Sequence, residues 1–114
     1  MRTVEKSRLV RERWGSMEWL VDADLQPGAR LSLARMRIDP GQCSALHRHL
    51  DCDEAVHVVA GEIEQRVGGH LLRLGPGESA HIPAGQVHCS RALGAEAAVL
   101  LVAYSAGHRI YQPC

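Results

Sequence analysis

Seven histidines punctuate a chain of 114 residues, and three of them form a pattern with one carboxylate. His47 and His49 are two apart, a spacing that puts both imidazoles on one face of a strand. Glu54 follows five residues after His49, far enough for a turn to bring the next strand alongside. His88 lies on a later segment that follows Pro83-Ala84-Gly85. Three imidazoles and one carboxylate converging inside a barrel make a site for one divalent transition metal (Fe, Mn, Ni or Zn) with open positions for exogenous ligands. An isolated His-x-His pair is more often a surface or structural feature; the whole set of four carries the metal reading. A substrate held at such an ion is polarised as by a Lewis acid, and with Fe(II) the open positions accept substrate and dioxygen together.

The elements that must position these groups are short strands. Turn signals recur at Pro27-Gly28, Pro40-Gly41, Gly61, Gly68-Gly69, Gly75-Pro76-Gly77, Pro83-Ala84-Gly85, Gly94 and Gly107, with runs of Val, Ile and Leu between them. This rhythm predicts an all-β sandwich or barrel, with strands near 16–22, 30–38, 43–49, 54–60, 62–67, 70–74, 78–82, 86–92 and 97–104. Only residues 4–14 offer anything like a helical stripe. We divide the chain into an N-terminal arm over 1–15 and a barrel over 16–114. In Glu62–Val67 the alternation points Ile63, Gln65 and Val67 inward, which makes Gln65 a polar group in an apolar row. The apolar phase of residues 31–38 shifts midway, which predicts a bulge there. Residues 97–104 are apolar at nearly every position, which predicts cover on both faces and, with it, a homodimer.

The spacing of the chemical residues resembles that of the cupin superfamily. Its first motif appears as Gly41, five residues, His47-Arg48-His49, four residues, Glu54, six residues, Gly61. The second appears as Gly77, five residues, Pro83-Ala84-Gly85, two residues, His88, three residues and then Ala92, where the family has Asn. Nine positions match with the right gaps, and the two motifs span residues 41–92, about half the chain. The resemblance implies a double-stranded β-helix of the jelly-roll kind, with His47, His49, Glu54 and His88 as ligands of a metal near one mouth. Gly61 and Gly77 then occupy tight strand connections that need positive φ. Small residues at Ser90 and Ala92 predict an open, roomy cavity wall.

Other residues compete for roles. His81 precedes Ile82-Pro83 and is a candidate proton-transfer group, and Gln65 is a candidate ligand contact; these two are the proposed catalytic residues. His57, His70 and His108 read as packing or surface groups, Cys43 as a liner of the far end of the cavity, and Cys89 as facing away. Trp19, with Met17 and Val21, reads as core. The four cysteines lack CxxC spacing, so free thiols in a reducing cytoplasm are expected, with a Cys43–Cys52 bridge as the alternative. Thirteen cations balance thirteen anions, which argues against a nucleic-acid or polybasic membrane partner, and no apolar run is long enough to span a bilayer. The leading functional expectation is a metal-dependent enzyme of dioxygenase type acting on a small oxygenated molecule. The rivals are a non-redox isomerase, cyclase or lyase, and a metal-loaded binding module without turnover.

Overall fold

The computed structural model describes residues 6–114, so the first five residues of the predicted arm lie outside it. Eleven strands follow one another among the described residues: β1 Arg8–Glu12, β2 Gly15–Val21, β3 Ser32–Ile38, β4 His47–Arg48, β5 Glu54–Ala60, β6 Glu62–Val67, β7 His70–Leu74, β8 Ser79–Ile82, β9 His88–Leu93, β10 Ala98–Tyr104 and β11 Gln112–Pro113. They form two antiparallel sheets, β1-β2-β3-β10-β5-β8 and β11-β4-β9-β6-β7. This is the all-β architecture expected from the turn rhythm, in the jelly-roll form that the resemblance implies. No helix among the described residues is long and apolar enough to cross a membrane.

Alternation decides what each strand buries. On β3, Ser32, Ala34, Met36 and Ile38 are buried while Arg35 and Arg37 are exposed; on β10, Ala98, Leu100, Val102 and Tyr104 are buried. With no Phe in the chain, the fully buried side chains are mostly aliphatic, among them Ile38, Ile63, Ile82, Leu100, Val56 and Val58. Each contributes about 1.5–3 kcal/mol when removed from water, which gives the barrel a core independent of its polar end. That polar end arises within the same inward rows. Strand β5 runs from Glu54 through Val56 to Val58, and β9 from His88 through Ser90 to Ala92, with all six side chains buried. One end of the interior is hydrocarbon; the other collects acids and imidazoles.

Gly61 joins β5 to β6 at φ 77°, and a Cβ there would lie 2.6 Å from the Ala97 carbonyl oxygen. Both backbone conformation and space require glycine at this connection. Gly77 has φ 85° with open space around it, so only its conformation selects glycine.

Two expectations are corrected. Residues 8–12, inside the segment read as a helical stripe, form a strand exposed at every residue, paired with β2 from Arg8↔Trp19 to Glu12↔Gly15. The tight turn at Arg13-Trp14 closes that hairpin, and pairing to the sheet edge outweighs a weak helical pattern. The register slip expected within 31–38 lies instead on the facing strand, between Trp19 and Val21 of β2, and leaves the buried row of β3 unbroken. The outward side chains of β10, Val99, Leu101 and Ala103, are half-buried within the chain.

Candidate metal centre

Each ligand candidate is delivered by a different rule of the fold. His47 sits on β4, directly opposite His88 on β9. Glu54 begins β5, where it pairs with Tyr104 of β10. His49 follows β4 in the loop and is 2 % exposed. The four side chains offer ligand atoms that all lie within 4.8 Å of one another.

The imidazoles are oriented before any ion arrives. His47 Nδ1 lies 2.6 Å from Ala45 O, His49 Nδ1 2.9 Å from Ile110 O, and His88 Nδ1 2.8 Å from Gln86 O. A carbonyl oxygen only accepts, so each Nδ1 carries the proton and each Nε2 keeps its lone pair free. His88 Nε2 approaches Glu54 Oε1 at 3.0 Å and His49 Nε2 approaches it at 3.5 Å. None of these three buried atoms has a well-directed hydrogen bond. Close approach without hydrogen-bond alignment is what donors aimed at one shared centre produce. Orphaned buried polar atoms are costly, and a divalent ion satisfies all of them together. Three neutral imidazoles and a carboxylate suit a first-row transition ion.

The electrostatics agree. Burial, reinforced by the neighbouring imidazoles and opposed by Ala45 O, pulls His47 down to about 4, so it is a neutral ligand near pH 7. Burial pulls on His88 in the same direction, but the Glu54 carboxylate outweighs it and the net shift is upward. Burial pushes Glu54 up, and the His49 and His88 contacts more than reverse that.

The site opens onto a cavity of about 90 Å³ lined by His47, Glu54, His88, Ser44, Ser90, Trp14, Tyr104, Arg109 and Tyr111, among others. This is a compact chamber, not the roomy one predicted from Ser90 and Ala92. Rings are the reason. The chain has only four aromatic residues, and all of them gather here. Trp14, Tyr104 and Tyr111 line the wall, Tyr111 stacks on His47 at 4.6 Å, and Trp19 packs against Tyr104 at 5.8 Å.

The C-terminal segment, for which no site role was expected, closes the chamber. The Ile110 carbonyl receives His49, the Ile110 amide donates to Asp51 at 3.0 Å, and the Cys114 amide donates to Leu46 O at 3.1 Å. The Arg48 side chain donates to Gln112, beside the β4–β11 pairing. Arg109 and Tyr111 escaped the sequence reading because residues 105–114 show no alternation and lie far along the chain from the histidines. The only clue was the scarcity of rings.

The two proposed catalytic residues are placed outside the chamber. Gln65 is 0 % exposed; it accepts from Ser90 Oγ at 2.5 Å and donates to Arg66 O and Cys89 O. It therefore stands one residue behind the cavity wall, holding Ser90. His81 is on the outer surface, 3.0 Å from Asp53. His57 bonds Ser79 Oγ, His108 pairs with Asp24, and His70 is exposed on β7. All four cysteines are free thiols, and Cys43 is not among the residues lining the cavity. Cys43 instead neighbours Cys89, whose thiol burial and this neighbour push up to about 11.

Comparison with known proteins follows the same lines. Residues 34–104 match the Cupin domain family. A germin-like protein of Oryza sativa subsp. japonica is 30 % identical over 101 residues, 82 % of this chain and 45 % of that protein. A mannose-1-phosphate guanylyltransferase of Salmonella typhimurium is 30 % identical over 72 % of this chain but only 16 % of its own length. The chain thus spans less than half of either curated relative. Among solved structures, an oxalate oxidase superposes with a TM-score of 0.78 at 22 % identity, covering 84 % of this chain and 53 % of the other. The formate complex of Lactobacillus farciminis oxalate decarboxylase gives 0.85 at 20 % identity, covering 94 % and 33 %. A protein from Thermus thermophilus gives 0.68 at 30 % identity, covering 79 % and 83 %.

Proposed function

This chain belongs to the cupin family, and from that premise we propose that it is a mononuclear metal-dependent enzyme of dioxygenase type acting on a small oxygenated organic molecule. The observation that carries the reading is the convergence of His47, His49, Glu54 and His88, buried side chains aimed at one centre beside a compact cavity. A divalent first-row ion held there supplies Lewis-acid polarisation and, as Fe(II), the capacity to use dioxygen. The chain supplies the rest. The three Nδ1–carbonyl bonds fix the imidazole planes, the rings of Trp14, Tyr104 and Tyr111 limit bulk water, and the chamber volume restricts the ligand to a few non-hydrogen atoms.

A second reading, a non-redox lyase or isomerase, has its own support. Proteins named for an oxidation and for a decarboxylation share this fold, so architecture does not choose between them. Metal analysis after anaerobic purification, followed by oxygen uptake with diketones, keto acids and thiols, separates the two. Iron with substrate-linked oxygen consumption is the expected result. Tightly held zinc with no oxygen uptake from any member of the panel overturns the dioxygenase reading. The partly covered outer row of β10, Val99, Leu101 and Ala103, together with exposed Val59 on β5, supports a homodimer. Light scattering at the 12.5 kDa monomer mass would exclude it.

A further inference from the structure

One cation lines the metal chamber, and it has no anion. Arg109 is the only Lys or Arg among the lining residues. Its guanidinium carbon lies 4.8 Å from the ring centre of Trp19, 5.3 Å from Tyr111 and 5.5 Å from Tyr104. The attraction between a ring and a guanidinium is electrostatic and does not replace a hydrogen-bond acceptor for its N–H groups. Among the described residues Arg109 forms no ion pair within 4 Å, and its Nε is buried without a hydrogen-bond partner. Two carboxylates share the chamber lining with it, Glu54 at the metal centre and Glu12 on exposed β1, and neither pairs with it. A buried N–H donor left unsatisfied costs about 1–3 kcal/mol, more when the group is charged. Arg109 is therefore held among three rings with its buried Nε–H left without an acceptor.

We propose that Arg109 is the anion anchor of this chamber: it takes a carboxylate of the ligand on its N–H edge while the ligand's remaining oxygen donors face the His47–His49–Glu54–His88 centre. The inference rests on the functional reading above and narrows its substrate class to small carboxylates, such as hydroxy acids or keto acids. Guanidinium and carboxylate match as two planar, bidentate partners, which a point charge does not reproduce. The three aromatic contacts have already removed the rotamer freedom that binding otherwise costs. The charge balance favours the same ligand, since a divalent ion and Arg109 exceed the single buried carboxylate Glu54.

The test uses acetate and acetamide, which share a shape and differ in charge. Tryptophan fluorescence near pH 7 reads their binding to the metal-free and the Zn(II)-loaded chain, because Trp19 stacks on Arg109 and Trp14 lines the wall. Acetate should bind at least tenfold more tightly than acetamide in both forms. In the metal-free chain Arg109→Gln should bring that ratio close to one, and Arg109→Lys should retain part of it. Equal binding of the two probes by the unaltered metal-free chain overturns the proposal without any variant, as does a ratio preserved in metal-free Arg109→Gln. Metal content measured on the same samples keeps the two ideas apart. If the chain takes up no metal, the functional reading falls, while the ratio in the metal-free chain still decides the role of Arg109.

Discussion

Two histidine–carboxylate pairs in this molecule have the same contact distance and opposite meaning. His88 Nε2 stands 3.0 Å from Glu54, and His81 Nε2 stands 3.0 Å from Asp53. The first pair is 3 % and 6 % exposed, the second 64 % and 55 %. At the surface the two side chains hydrate, lose rotamer entropy on pairing and are screened, so the pair is worth little. In the chamber the same atoms lack water and aligned partners, so a third party is required. Distance locates a contact; burial and unfilled lone pairs make it a site.

The sharpest way to break this comparison is to delete one member of each pair. His88→Ala or Glu54→Ala should lower metal affinity by more than ~100-fold, since even groups that only orient a ligand cost 10–100-fold. The barrel should remain folded, because its aliphatic end is independent of these residues. Metal analysis with circular dichroism checks both statements, and full occupancy in the two variants would sink the ligand assignment.

Acid titration sharpens the comparison next. Glu54 and Asp53 both titrate below their ordinary values of 4.5 and 3.8. For Glu54, burial pushes upward and the His49 and His88 contacts outweigh it; for Asp53 the His81 bond leads, followed by the Ala84 amide. A carboxylate depressed by folding adds stability above its unfolded value and loses it as pH falls through the folded one. Urea unfolding of the metal-free chain should show an acid-side loss below about pH 4.5 that shrinks clearly in Glu54→Gln. Asp53→Asn should leave the limb almost unchanged, and equal effects would contradict the contrast drawn between the pairs.

Gln65 supplies an intermediate case, buried but fully partnered. Gln65→Leu should cost about 1–3 kcal/mol by leaving Ser90 without its acceptor, with metal affinity retained. A collapse of activity with normal stability and full metal content would instead return Gln65 to the ligand contact first expected of it. The smallest effect belongs to His81→Ala, with stability changed by less than ~1 kcal/mol and metal content unaltered. A collapse of activity in that variant would return His81 to the proton-transfer role.

How much of this was legible beforehand follows from how each part is written in the chain. His47, His49, Glu54 and His88 were visible because the turns around them fix their spacing in the sequence, although β4 covers only His47 and Arg48. The interior row of β6 was visible through alternation. Gln65 was correctly placed inward, yet its partners lie on β9, and pairing between strands leaves no local mark. The exposure of His81 was equally hidden: parity gives a face, while the covering of that face depends on the rest of the sheet. Tyr111 and Arg109 were the least readable, since two-residue strands such as β4 and β11 carry no period at all.

The closing segment has a consequence for the order of assembly. Its contacts with the ligand strand and loop, from Ile110 to His49 and from Gln112 to Arg48, bridge 61 and 64 positions of sequence. Hairpins such as β1–β2 and β6–β7 join neighbours across a few residues and close with little loop entropy. During refolding the strands therefore regain their ladders first, and competence to hold a metal arrives last, as a lag between recovered circular dichroism and recovered metal uptake.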